Sequence, residues 1–160
     1  MYNQDDIDKL KRKLSRSKDG ESKLETLLKL GELLFYYNLD ESLLHWTNGL
    51  QLSENNKNIR YLGLFNEKLA AAYNRLDDAI SAILYAEKAI ELYLPNNYYK
   101  GLGICKRILA ESCDGNSHFE EAYLLYLEAV DYHERSGDDE SLAFTRAAMG
   151  IHYWKQGRYT

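Results

Sequence analysis

Four histidines and two cysteines are the side chains of this 160-residue chain most suited to nucleophilic or metal chemistry. Their spacing assembles no such site. His45, His118, His133 and His152 fall in different segments, and none has a partner at metal-ligand spacing, so they read as surface or packing histidines. Cys105 and Cys113 share one predicted helix, where eight residues of rise separate them by roughly 12 Å, too far for a disulfide. Cys113 has no base near it in sequence and reads as a buried structural thiol rather than a nucleophile. No glycine-rich phosphate loop is present, and the glutamate-rich segments fall on exposed helix faces. Catalytic residues, metal ligands and cofactors are therefore all expected to be none, which makes a stand-alone enzyme the third-ranked reading.

Binding is the better question, and it depends on the elements that would carry it. A single proline in 160 residues favours an all-helical chain, because proline breaks helices. The formal charge of −5 argues against nucleic acid as a partner, since phosphate binding needs clustered Lys and Arg. One helix, 4–16, is locally basic (Lys9, Lys11, Arg12, Lys13, Arg16) and reads as a solvated face. No apolar run approaches the ~20 residues needed to span a bilayer. The N-terminal residues lack the charge and apolar run of a signal peptide. Free cysteines suit a reducing compartment, so the expected location is cytoplasmic.

In chain order, Ile7, Leu10 and Leu14 give helix 4–16 one apolar stripe, and residues 18–21 break it. A pair follows over 22–53, with Asn38 and Glu41 as a cap between its helices. The segment 55–58 is a turn. Helices 59–75 and 78–94 form a second pair with Asp77 as the cap, closed by Pro95-Asn96-Asn97. The third pair is 98–113 and 118–135, with Ser117 and Glu120 as a capping box. A last helix, 139–156, leads to Gly157-Arg158-Tyr159, where a further helix is expected to begin in a truncated last unit, 139–160.

These pairs repeat. Leu69-Ala70 and Tyr73, then Ala82 and Ala89, recur 40 residues later as Leu109-Ala110, Cys113, Ala122 and Ala129, and again as Met149-Gly150 and Tyr153. The first pair holds Leu30-Gly31 one residue off register, then Ser42 and Gly49. Small residues at fixed slots let antiparallel helices approach to roughly 8–9 Å. A glycine inside a helix costs about 1 kcal/mol against alanine, so Gly31 and Gly150 imply a packing reason. Leu69, Tyr73, Leu109, Met149, Tyr153, Trp46 and Tyr126 are the natural knobs.

The pattern resembles the tetratricopeptide repeat (TPR), whose helices carry Leu-Gly-x-x-Tyr and then Ala-x-x-x-Phe-x-x-Ala. Met149-Gly150-Ile151-His152-Tyr153 is the closest first-helix match, and Ala122, Tyr126 and Ala129 form the best second-helix match. The period of 40 exceeds the common 34, the early tryptophan slot holds Leu27, Asn66, Lys106 and Arg146, and the closing proline is missing from its usual slot. The resemblance, closest to the long-period variant of bacterial regulatory proteins, implies an all-α, right-handed α-solenoid of about eight helices, with 4–16 as an N-terminal capping helix. It also implies that the first helix of each pair lines a binding groove. In the slots that some family members use to clasp a carboxylate, only Lys68 is basic, so that clamp is absent.

The expected function is a non-catalytic scaffold for a protein or peptide segment, the N-terminal regulatory or sensory module of a longer signalling protein. Groove residues are expected at Tyr36, Glu67, Lys68, Asn74, Arg75, Arg107, Glu111 and Ile151. The alternative is a self-assembly module, with a homodimer formed through Met149, Tyr153 and Trp154 on the last helix.

Overall fold

The computed structural model describes residues 4–18 and 20–157. Among them are eight α-helices and no strand: α1 (Gln4–Arg16), α2 (Glu21–Leu34), α3 (Leu39–Asn55), α4 (Ile59–Arg75), α5 (Ala79–Tyr93), α6 (Tyr99–Gly115), α7 (Phe119–Ser136) and α8 (Asp139–Lys155). Consecutive helices pack on one another, and α6 additionally touches α4 and α8. This is the all-α helical repeat expected from the sequence. Asp19, Arg158, Tyr159 and Thr160, named above in a helix break and a further helix start, lie outside the described residues.

A finer period than 40 runs through the turns. Lys57, Asp77, Asn97, Ser117, Gly137 and Gly157 all adopt left-handed backbone with φ between 51° and 66°, one every 20 residues. Each of the first five is followed by the residue at the N-cap position of the next helix, which makes a side-chain cap bond at Asn58, Asp78 and Asp138 but not at Tyr98 or His118. Left-handed φ is costly for ordinary residues; Asp77, Asn97, Gly137 and Gly157 are of the types that tolerate it best, whereas Lys57 is not. The first pair lacks this turn: α2 ends at Leu34 and a turn over Phe35, Tyr36 and Tyr37, with Phe35 in right-handed backbone, leads to α3.

Two expected caps are corrected by this geometry. Asp77 is the left-handed residue, and Asp78 is the cap, accepting from the Ser81 amide at 3.1 Å. Ser117 is likewise left-handed, so the cap position falls on His118, which makes no side-chain cap bond. Asn38 caps α3 as expected, accepting from the Glu41 amide at 3.2 Å, while Asn58 and Asp138 do the same for Tyr61 and Ser141. Such caps satisfy helix-end N–H groups and are each worth about 1 kcal/mol. The turn 55–58 thus ends in a cap.

The small-residue slots hold the pairs together. Ala70, Ala82 and Ala89 are completely buried, as are Ala110, Ala122 and Ala129. A Cβ on Gly31 would lie 2.1 Å from the Trp46 indole nitrogen, and one on Gly49 would lie 2.2 Å from Phe65. Gly31 therefore makes room for Trp46, whose indole N–H donates to the Leu28 carbonyl at 3.2 Å. Gly150 is a correction, since a Cβ there would meet nothing within 4 Å. Its counterparts Ala70 and Ala110 sit among side chains of α5 and α7 respectively. Among the described residues no helix follows α8, so that hole stays open.

Three further glycines admit wedges that the sequence reading did not single out. Tyr93, at the end of α5, lies between Gly63 and Gly101, whose added Cβ atoms would approach its ring to 2.6 and 2.3 Å. One period later the His133 ring presses on Gly103 in the same way, at 2.5 Å. At the other end, Ile7 of α1 packs with Leu10 and Leu14 against Leu30 and Leu34 of α2.

Candidate binding face

The expected groove residues lie on α4, α6 and α8 and in the turn after α2. The structure brings most of them together in short polar relays from one first helix to the next. Asn74 on α4 donates to Glu111 Oε2 on α6 at 2.6 Å, and Glu111 Oε1 meets the Arg107 guanidinium at 2.5 Å. Arg75 donates to the Phe35 carbonyl at 2.6 Å and lies 5.1 Å from the Phe35 ring and 5.2 Å from that of Tyr36. Arg107 lies 4.8 Å from the Phe144 ring on α8. A cation is thus held against an exposed aromatic ring at both ends of the face: Tyr36 is 72% and Phe144 61% exposed. Contacts of this kind are worth about 0.5–2 kcal/mol each, more when water is excluded. Ile151 is exposed as well.

Glu67 does not belong to the face. It is only 4% exposed, and its Oε2 accepts from the Tyr93 hydroxyl at 2.8 Å. Burial pushes its carboxyl above the usual range, against the opposing pull of Lys68 and Tyr93. The sequence places Glu67 one period before Arg107, and the slot does point both side chains inward. A short carboxylate reaches only the interhelical layer, whereas the longer arginine reaches Phe144. Lys68, three-quarters buried, bridges Glu32 at 3.0 Å and Glu67 at 3.7 Å. Burial alone would lower its pKa, but the two carboxylates outweigh that and hold it above the ordinary value. The charges of the face are therefore matched within the chain, and exposed aromatic and aliphatic surface is what it offers a partner.

The last helix also differs from expectation. Met149 and Tyr153 are half-buried, Met149 against the α6–α7 core and Tyr153 with its ring 6.0 Å from that of Tyr123. The exposed apolar residues of α8 are Phe144, Ile151 and Trp154, the last 64% exposed. Their spacing of seven and three places them on one helical face.

Three of the four histidines are buried, and one of them makes a contact that sequence spacing did not reveal. The His152 Nδ1 meets Asp114 Oδ1 at 2.5 Å, and Tyr126 donates to the other Asp114 oxygen at 3.4 Å. The Gln156 amide nitrogen lies 2.7 Å from His152 Nε2. Both ring nitrogens are occupied and the ring is 1% exposed, so the group joins α6, α7 and α8. His133 and His45 meet no protein hydrogen-bond partner, and burial lowers the pKa of both. Cys105 is buried and burial pushes its thiol up; Cys113 is half-buried, less than its packing slot suggested. Among the described residues no three His, Cys, Asp or Glu side chains cluster closely enough to hold a metal ion, and no helix is long and apolar enough to cross a membrane.

Compared with models of known families and with curated proteins, the chain matches none.

Proposed function

We propose that this chain is a non-catalytic scaffold that binds an extended or helical segment of another protein along the face made by α4, α6, α8 and the turn after α2. The observation that carries the reading is the pair of exposed aromatic rings, Tyr36 and Phe144, each with an arginine held against it by hydrogen bonds inside the chain. Prearranged arginine and aromatic groups at little entropic cost are what hot spots of interfaces are made of. Its place as a regulatory module of a longer signalling protein rests on the family resemblance alone.

The test is a peptide selected from a displayed library against the whole chain. Replacing Arg107 by Glu removes both the Phe144 contact and the Glu111 pair, and weakens such a peptide by roughly 1–3 kcal/mol with helicity unchanged. Tyr36→Ala weakens it comparably if the peptide spans the face. A peptide that binds Tyr36→Ala/Arg107→Ala as tightly as the unmodified chain places recognition elsewhere.

A second reading, self-association through α8, is favoured by the exposed face of Phe144, Ile151 and Trp154 beside the open Gly150 slot. Sedimentation of Ile151→Glu/Trp154→Lys checks it, with a shift towards monomer expected. A chain that is monomeric at tens of micromolar before any substitution removes it.

A further inference from the structure

We infer that the cleft between the start of α4 and the end of α5 binds an aromatic ring carrying a carboxylate. The cleft lies away from the face proposed above and holds about 500 Å³, within the range of small-ligand sites. Ile59, Leu64, Leu92 and the ring of Tyr93 give it apolar walls. Arg60 and Tyr98 stand at its edge, Tyr98 edge-on to Tyr93 with ring centres 4.8 Å apart.

The next helix pair shows what this cleft lacks, because the two pairs share one register and one wedge. Forty residues on, the slots of Ile59 and Leu92 hold Tyr99 and Tyr132, whose rings stack 6.2 Å apart at 18°. Arg135 lies 4.0 Å from the Tyr99 ring centre and donates to its hydroxyl at 2.7 Å. The slot of Arg60 holds Lys100, and the slot of Tyr98 holds Asp138, and these two form an ion pair at 2.9 Å. The third pair thus supplies its own aromatic rings and its own carboxylate opposite the cation. The second pair has the cation and the space, with Ile59 and Leu92 in place of the stacked tyrosines and Tyr98 in place of the carboxylate. Among the described residues Arg60 lies 5.7 Å from the Tyr61 ring, and its carboxylate contact is Glu21 at 3.8 Å with both side chains largely exposed, worth little in water. A ligand that brings a ring and a carboxylate completes the second cleft with groups of the kind the chain itself provides in the third. The ring packs on Tyr93, Tyr98 and Leu92, and the carboxylate takes a charge-assisted contact from the guanidinium.

The probe is 3-phenylpropionate, titrated into the whole chain by calorimetry and followed by NMR shifts. Saturable binding is expected with a dissociation constant of about 0.1–1 mM, in line with a small ligand that makes one charged and one stacked contact. The neutral amide of the same acid, and the exposed substitution Arg60→Gln, each weaken binding about tenfold, the size of one lost charge-assisted contact. Ile59→Tyr/Leu92→Tyr, which copies the third pair, abolishes binding while the helical signal stays. A short peptide ending in phenylalanine with a free C-terminus distinguishes the source of the group: binding at least as tight as the free acid identifies a chain terminus, and weaker binding identifies a free aromatic acid. Absence of saturation up to about 10 mM, equal affinity for acid and amide, or undiminished binding to a well-folded tyrosine-filled variant each overturns the proposal.

Discussion

The second and third helix pairs are two versions of one design, α4 with α5 and α6 with α7. Their frames coincide at Ala70, Ala82 and Ala89 with Ala110, Ala122 and Ala129, and at the glycine that admits a ring, Gly63 under Tyr93 and Gly103 under His133. Their polar contents do not coincide. In the second pair Tyr93 donates to a buried carboxylate, Glu67; in the third, the same slots hold His133, with neither nitrogen paired, and Arg107, which reaches Phe144 on α8. Small residues fix how closely helices approach, because a methyl group in such a contact has nowhere to go. The side chains that fill the remaining space are held less strictly and can diverge, so a buried acid bonded to its own pair in one unit becomes, in the next, a cation that reaches across to the following helix.

The largest effect that tests this comparison comes from removing the two wedges. Tyr93→Ala should cost about 3–5 kcal/mol, since it empties a site between two helices and strands the Glu67 carboxyl. His133→Ala should cost clearly less, about 1–2 kcal/mol, because truncation also removes two unpaired buried nitrogens. Urea midpoints at constant slope measure both, and equal losses would show that the wedges are energetically alike.

Next in size are two glycines in first helices. Gly31→Ala drives a methyl group into the Trp46 indole and should cost about 1–3 kcal/mol. Gly150→Ala meets nothing and should stabilise by about 0.5–1 kcal/mol through helix propensity. The same substitution with opposite signs separates a packed hole from an open one. A loss at Gly150 would mean that some contact covers this slot in solution.

The smallest effects are in pH dependence, where the two pairs should run in opposite directions. Glu67 holds its proton more tightly folded than unfolded, so its ionisation opposes folding at neutral pH, and this opposition fades as pH falls towards its ordinary value near 4.5. Glu67→Gln should therefore be at least as stable as the unmodified chain at pH 7, with the difference vanishing near pH 4. Asp138 is the reverse. The Lys100 hydrogen bond, outweighing burial and aided by Ser141, lowers its pKa to about 2, so its contribution is full above 3.8 and is lost as pH falls towards 2. Asp138→Asn keeps a capping side chain and should cost about 1 kcal/mol at pH 7, after screening of the half-exposed Lys100, and a small fraction of that at pH 2. Parallel pH profiles for the two variants would break the contrast.

How much was legible in the sequence depends on whether a contact is local or crosses between units. The helices, the cap at Asn38 and the alanine slots were legible, because each depends on residues a few positions apart or on a repeat that sequence displays directly. The Gly63 and Gly103 wedges left a signal of the same kind, two glycines one period apart inside helices, each thirty residues before a ring. The caps at Asp78 and His118 were misplaced by one residue, since sequence alone does not say which of two adjacent polar residues takes the left-handed backbone. Only the spaced set of six such residues makes the choice plain.

The sequence by itself determined that this chain is helical, that its helices pair and repeat, and where they touch. Periodicity and small residues act through local backbone preference and steric exclusion, and both are properties of residue type and position. The tertiary structure alone decided which partner each polar side chain meets. Glu67 and Arg107 occupy the same slot, and whether the group stays within its own pair or reaches the next unit depends on side-chain length and on what the next unit places opposite. It alone joined Asp114 to His152 and Asn74 to Glu111 across neighbouring first helices. Such pairings arise from the distance between units, which is set by the packing of every helix in the stack and has no counterpart in the spacing of the residues that meet.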